Sequence, residues 1–192
     1  MLGDLTEKYQ ITLASNSPRR KELLTKIIPI FKVESKEVEE IYPKNLQGGE
    51  IATYLSQLKS KPFQPNEKEL IITADTIVIL DSLILGKPKN PEEAKHMLTL
   101  LSGKKHEIIT GVTIRTKDKE LSFYDSTKVE FYELKTDEIE YYVEKYKPFD
   151  KAGAYGIQEW IGHVGIKKME GDFYNVMGLP IHRVYRELNQ FI

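Results

Sequence analysis

Leu13-Ala14-Ser15-Asn16-Ser17-Pro18-Arg19-Arg20-Lys21-Glu22-Leu23-Leu24 carries the signature of a strand, a polar turn and a helix start in succession. The apolar run Ile11 to Ala14 reads as a short buried strand. Pro18 then stands at the first helical position, where its missing N–H has no partner to lose. Ser17 precedes it as an N-cap that can accept from an orphan backbone N–H. Leu23, Leu24 and Ile27 supply the apolar stripe of that helix. The turn therefore aims unpaired N–H groups and a positive dipole end at whatever lies above the strand. Two arginines and two or three hydroxyls share the turn, which suits a multiply charged anion, phosphate first. The alternative is a solvated arginine pair on an ordinary surface helix. Cations are mildly unfavourable at a helix N-terminus, so the pair calls for a reason.

The remainder of the chain supports an α/β fold. Its 192 residues suit one domain, or one domain with a tightly integrated second lobe. Hydrophobic residues make up 40% and charged residues 30%, ample material for a core. A net charge of -1 argues against a protein that binds nucleic-acid polymers or membrane surfaces through a large positive field. Cysteine is absent, which excludes disulfides, thiolate nucleophiles and cysteine-ligated zinc, and fits a reducing cytoplasm. No apolar run approaches a membrane span, and the stretch Met1 to Tyr9 is too polar and acidic for a signal peptide. The expected location is cytoplasmic.

Outward from the opening stretch, Ile30 to Ser35 alternates apolar and polar residues and reads as a second strand. An acidic loop, Glu37-Val38-Glu39-Glu40, is either a solvated turn or a place where one glutamate holds a metal ion. Ile51, Tyr54, Leu55 and Leu58 mark an amphipathic helix with Lys59 beside its stripe, a position from which a lysine ordinarily snorkels to solvent. Leu70 to Leu80 is the most apolar run, and Asp75 interrupts it. A carboxylate among β-branched residues is unfavourable unless it is paired, hydrogen-bonded or metal-bound. Its two readings are a functional group, or a bulge whose carboxylate bonds backbone N–H groups. Asp81-Ser82 reads as a hairpin turn returning through Leu83-Ile84-Leu85 to Gly86-Lys87-Pro88, which fixes Lys87 at a strand end.

Asn90-Pro91-Glu92-Glu93 opens a helix whose Ala94, Met97, Leu98 and Leu101 face inward, with Gly103 ending it. His106 to Lys117 and Leu121 to Leu134 read as two long strands. Thr136 is expected to cap a helix burying Ile139, Tyr142, Val143 and Tyr146. In Asp150 to Gln158, glycines and small residues let the backbone approach something closely, and Gln158 has the donor and acceptor needed to read a base edge. A packing loop is the plainer reading. Ile161 to Met169 reads as a strand, and Leu179 to Phe191 as a final helix burying Ile181, Val184, Tyr185 and Leu188. The four histidines show no metal-ligand spacing, and no nucleophile elbow, Walker A loop or Rossmann fingerprint is present.

LASNSPRRKELL (13–24), TADTIV (73–78), GKP (86–88), LSGKKHEIITGV (101–112), DKAGAYGIQ (150–158) and GDFYNVMGLP (171–180), in this order, resemble the Maf-like nucleotide pyrophosphatases. The resemblance spans almost the whole chain. It implies an α/β fold with an elongated central mixed sheet flanked by helices, and two lobes with a cleft between them. It also implies hydrolysis of nucleoside triphosphates to monophosphate and pyrophosphate with a divalent metal, Mg²⁺ or Mn²⁺, and it allows a homodimer. By position, Ser15, Arg19 and Arg20 match the phosphate-binding turn, and Lys59 and Lys87 the lysines around the phosphates. Asp75 matches the proton acceptor, Glu40 with Asp75 the metal carboxylates, and Arg19, Thr76 and Gln158 the positions tied to substrate choice. The motif ending in GIQ resembles the branch acting on dTTP and UTP. Two departures stand out: Ser56 and Ser60 occur where alanines are common, and Thr73 where glycine is usual.

The expected function is metal-dependent hydrolysis of dTTP and UTP by water attack at the α-phosphorus. Three alternatives are a pyrophosphatase for modified nucleotides such as 7-methyl-GTP, a non-catalytic nucleotide-binding regulator of cell division, and a structural adaptor. The regulator would need the pocket without both Asp75 and Glu40. The adaptor leaves Asp75 and the arginine pair unexplained.

Overall fold

A computed structural model describes residues 3–192. In chain order the elements are α1 (Gly3–Lys8), β1 (Gln10–Leu13), α2 (Pro18–Thr25), β2 (Lys32–Val33), α3 (Gly49–Ser60), β3 (Glu69–Leu80), β4 (Leu83–Leu85) and α4 (Pro91–Leu101). They continue as β5 (Lys105–Arg115), β6 (Glu120–Phe131), α5 (Thr136–Tyr146), α6 (Trp160–Gly165), β7 (Ile166–Glu170), α7 (Phe173–Met177) and α8 (Ile181–Leu188). Seven strands form one mixed sheet in the order β2-β1-β3-β5-β6-β7, with β4 antiparallel to β3. β1 runs parallel to both β2 and β3, and β7 runs antiparallel to β6.

The chain divides into two compact units. The first comprises 1–75, 110–125 and 178–192, and the second 76–109 and 126–177. The long strands β3, β5 and β6 contribute to both.

In the first unit Leu13, Leu24, Ile28, Leu70 and Ile72 are fully covered. Each deeply buried aliphatic side chain contributes on the order of 1.5–3 kcal/mol. Gly111 on β5 explains how α3 comes to lie against the sheet. A Cβ there would sit 2.1 Å from the Ala52 carbonyl oxygen, an overlap that only glycine avoids. The helix therefore approaches at backbone distance, and this seats Lys59 in its last turn.

In the second unit Leu98, Leu101, Ile108, Phe131 and Tyr142 are the large buried side chains. His106, Phe131 and Tyr155 pack edge to face, with centroids 4.9 to 5.5 Å apart. The Asn90 side chain accepts from Glu93 N–H at 2.8 Å, and Ala94, Met97, Leu98 and Leu101 are buried as their spacing requires.

Four expectations about local structure need correction. The strand read over 30–35 shrinks to Lys32–Val33, an edge pairing with both residues exposed, and Ile30 is open to water for want of an apolar partner. The stretch 161–169 is not a single strand: α6 occupies its first half and β7 begins at Ile166. There the turn closes when Gly162 N–H donates to the Glu159 carbonyl at 2.9 Å, and a Cβ at Gly162 would overlap the Ile157 carbonyl oxygen. Thr136 does not cap α5. The Glu138 carboxylate reaches back to accept from Lys135 N–H at 2.8 Å, which moves the start one residue earlier. The final helix ends at Leu188 and tightens into a 3₁₀ turn over Asn189–Phe191, with Tyr185 only half-buried.

Candidate functional site

In the first unit the β1–α2 connection folds as its residues require. The Ser17 side chain accepts from Arg20 N–H at 3.4 Å, and the Ser17 carbonyl accepts from Lys21 N–H at 3.2 Å. Ser15 is buried, and its hydroxyl accepts from Ser17 N–H at 3.2 Å. The Arg20 guanidinium ties three chain segments together. Its Nε donates to the Gly178 carbonyl at 2.8 Å, and its Nη1 to the Ala74 carbonyl at 2.8 Å and to Ser15 Oγ at 3.4 Å. Burial pulls its pKa down, and the nearby charge of Asp75 opposes that shift. The reading of Arg20 as a phosphate ligand thus gains a positioning component: it holds Ser15 and the strand preceding Asp75 in one frame. Arg19, its neighbour, is half-buried.

Asp75 lies on β3 and is buried. Its carboxylate accepts a hydrogen bond from Lys59 Nζ, which lies 2.8 Å from Glu40 Oε1 as well. A β-strand, a helix end and the acidic loop thus bring two carboxylates onto one ammonium. The expectation that Lys59 snorkels to solvent fails because burying Asp75 next to it is tolerable only with a cation in contact. Of the residues singled out by sequence, the structure unites Ser15, Arg20, Glu40, Lys59 and Asp75 within this unit.

The three positions that depart from the common pattern, Ser56, Ser60 and Thr73, support this arrangement from behind. Thr73 Oγ1 donates to the Ser56 carbonyl at 2.7 Å. Ser56 Oγ donates to the Thr53 carbonyl and shares a 2.8 Å hydrogen bond with Thr113 Oγ1. Thr113 Oγ1 in turn lies 2.9 Å from Ser122 Oγ. Ser60 Oγ donates to the Gln57 carbonyl at 2.8 Å. The added hydroxyls are therefore satisfied: Thr73 ties β3 to α3 two residues before Asp75 and three before Lys59, Ser56 ties α3 to β5, and Ser60 bonds within α3.

The remaining predicted positions belong to the second unit. Thr76 is half-buried, and Lys87 is exposed after β4. Gly153 N–H donates to the Gly86 carbonyl at 3.0 Å, so the glycine-rich segment is stitched to the backbone next to Lys87. Gln158 is half-buried, and its Oε1 is covered and without a hydrogen-bond partner among the described residues.

Sequence reasoning missed the polar cluster beside Gln158. Lys151 Nζ lies 2.7 Å from Asp150 Oδ1 and 3.1 Å from Glu159 Oε1. The Tyr142 hydroxyl donates to Glu159 Oε2 and accepts from Gly156 N–H at 3.0 Å. The available signal was Lys151 itself, a charge at the head of the small-residue run Ala152-Gly153-Ala154.

Residues 10–191 match the Maf-like protein family. The chain belongs to that family. Its relatives include the dTTP/UTP pyrophosphatase of Bacteroides thetaiotaomicron, 52% identical over 99% of this chain and 100% of that protein. The dTTP/UTP pyrophosphatase of Phocaeicola vulgatus is 50% identical over the same shares. That of Cytophaga hutchinsonii is 54% identical over 94% of this chain and 83% of its own length. The solved structure of the Staphylococcus aureus Ham1 protein overlaps 63% of this Maf-like chain and 71% of its own, at 18% identity and a TM-score of 0.43.

Proposed function

We propose that this Maf-like chain hydrolyses nucleoside triphosphates, dTTP and UTP before others, to the monophosphate and pyrophosphate. The observation that carries the reading is Asp75, a buried carboxylate on β3 whose cationic partner Lys59 is shared with Glu40. Its fit with the relatives' names, at about half identity over the full chain, favours this reaction over a binding role alone.

Asp75 accepts the proton of the attacking water at a carboxylate oxygen, and water adds in line at the α-phosphorus as pyrophosphate departs. Lys59, Lys87 and Arg19 supply positive charge to the phosphates, and Lys59 and Lys87 stabilise the charge that develops on the leaving group. Ser15 and the first N–H groups of α2 orient a phosphate oxygen, while Arg20 keeps that turn in shape. Gln158 reads the base, with Arg19 and Thr76 contributing to substrate choice. Glu40 and Asp75 fit a divalent cation: both are hard oxygen donors, and both already share one cationic atom, Lys59 Nζ. When bound, Mg²⁺ or Mn²⁺ would neutralise phosphate charge there.

The test is pyrophosphate release from dTTP, UTP, CTP, GTP and 7-methyl-GTP with Mg²⁺ or Mn²⁺, for wild type and Asp75→Asn. Turnover should favour dTTP and UTP, and Asp75→Asn should lower kcat by about 10²-fold or more with nucleotide still bound. Undiminished turnover in Asp75→Asn would remove Asp75 from the role. No turnover of any nucleotide by wild type, with binding intact, would put the regulator reading first.

A further inference from the structure

The cluster around Lys151 lies beside Gln158 and shares its close packing at Gly156. Glu159 uses both carboxylate oxygens, Oε1 toward Lys151 Nζ at 3.1 Å and Oε2 to accept from Tyr142. Tyr142 then accepts Gly156 N–H at 3.0 Å, and Glu159 N–H donates back to the Gly156 carbonyl at 3.0 Å. Both polar groups of Gly156 are thereby fixed, two residues before Gln158. The packing is close: a Cβ at Gly156 would lie 2.8 Å from the Glu159 carboxyl carbon and 3.1 Å from Gln158 Nε2. The turn so held leaves Gln158 Oε1 covered and without a partner among the described residues. A buried acceptor left unpaired is unfavourable until a donor arrives.

We propose that Tyr142, Glu159 and Lys151 form a clamp that fixes which way round the Gln158 amide lies, and so selects bases that present an imide N–H. An imide edge offers N–H beside C=O, the complement of an amide's acceptor and donor. Cytosine offers a ring acceptor beside an amino donor, which would require the amide to be reversed. Reversal would bury the two Nε2 donors where the oxygen now sits, and would press the oxygen toward Gly156. The three clamp residues act through Gln158 and are positioning residues. This inference rests on the reading that Gln158 touches the base.

The experiment is the ratio of kcat/KM for dTTP over CTP in Tyr142→Phe, Glu159→Gln, Gly156→Ala and Gln158→Ala, with folding followed by circular dichroism. Tyr142→Phe and Glu159→Gln should lower the ratio by about tenfold or more, because unpairing a recognition group costs selectivity more than rate. Their kcat for saturating dTTP should stay within about threefold of wild type. Gly156→Ala carries the same test if a clamp variant does not fold, since it crowds the Glu159 carboxylate and the Gln158 amide while keeping every clamp side chain. An unchanged ratio in folded Tyr142→Phe and Glu159→Gln, alongside a collapsed ratio in Gln158→Ala, overturns the clamp and leaves base reading intact. An unchanged ratio in Gln158→Ala overturns base reading and the clamp with it.

Discussion

Lys59 in the first unit and Lys151 in the second each stand between two carboxylates, one covered and one open to solvent. The side-chain exposures run in parallel: 17% for Lys59 with Asp75 at 9% and Glu40 at 47%, and 8% for Lys151 with Glu159 at 18% and Asp150 at 51%. The charges are the same, but the hydrogen-bond accounting differs. Glu159 has both oxygens engaged, one by Lys151 and one by Tyr142. Asp75 is bonded by Lys59 alone among the described residues, through one oxygen. The first trio also draws its members from a strand, a helix end and a loop, whereas Asp150, Lys151 and Glu159 lie within one short segment. Spare acceptor capacity on a buried carboxylate suits a group that must take a proton or a ligand. A carboxylate with no capacity left suits a brace.

If that contrast holds, removing either lysine should cost stability, and only removing Lys59 should also cost turnover. Lys151→Met leaves Glu159 partly buried without its cation, and loss of one partner of a buried pair typically costs about 3–5 kcal/mol, the upper bound here because Glu159 keeps Tyr142. A urea unfolding midpoint read against wild type checks this. Lys59→Met leaves the more deeply buried Asp75 without its cation, so it should cost stability on the same scale, and in addition turnover falls by about 10²-fold. Equal losses of turnover in the two folded variants would erase the distinction.

The second unit should also be the more sensitive to acid. Burial lowers the His106 pKa from 6.5 to about 4, against the opposing pull of the Lys104 backbone, and its Nε2 lies 2.8 Å from the Tyr155 hydroxyl. Between those two values the unfolded chain binds the proton that the folded chain refuses. The stability from neutral His106 is complete above pH 6.5 and falls as the pH drops toward 4, by about 3 kcal/mol at most. Denaturant midpoints taken across this window in wild type and His106→Gln test it: the variant should lose this part of the slope. A slope that persists in full would place the acid sensitivity elsewhere.

The smallest effect belongs to the turn of the first unit. Ser17→Ala removes the side-chain acceptor for Arg20 N–H and should cost about 1 kcal/mol. The loss should appear as a shift in thermal midpoint, with selectivity between dTTP and CTP untouched. A change in base preference would mean that this turn does more than hold phosphate.

Much of the fold was legible because local rules and tertiary needs agree. Ser17-Pro18 and Asn90-Pro91 start helices where capping chemistry says they should. The run from Leu70 to Leu80 forms β3 because β-branched residues suit a strand covered on both faces. The misreadings fall where a distant group decided the outcome. Glu138 moved the start of α5, the Gly162 turn divided 161–169, and the lack of an apolar neighbour left Ile30–Ser35 mostly unpaired.

Sequence alone marked Asp75 as anomalous, because a carboxylate in an apolar strand is costly under any topology. It marked the β1–α2 turn as anion-seeking, because cap, proline and arginines lie within one turn of each other. It could not decide that Lys59 would serve Asp75 and Glu40 together, or that Tyr142 and Glu159 would brace the segment carrying Gln158. These partners are separated along the chain by 16 residues for Lys59 and Asp75, and by 17 for Tyr142 and Glu159. Only the packing of α3 against the sheet at Gly111, and of α5 beside the 150–159 segment, brings them within hydrogen-bonding distance. A hydrogen bond acts over about 3 Å, and nothing in a linear pattern specifies which distant groups will be that close.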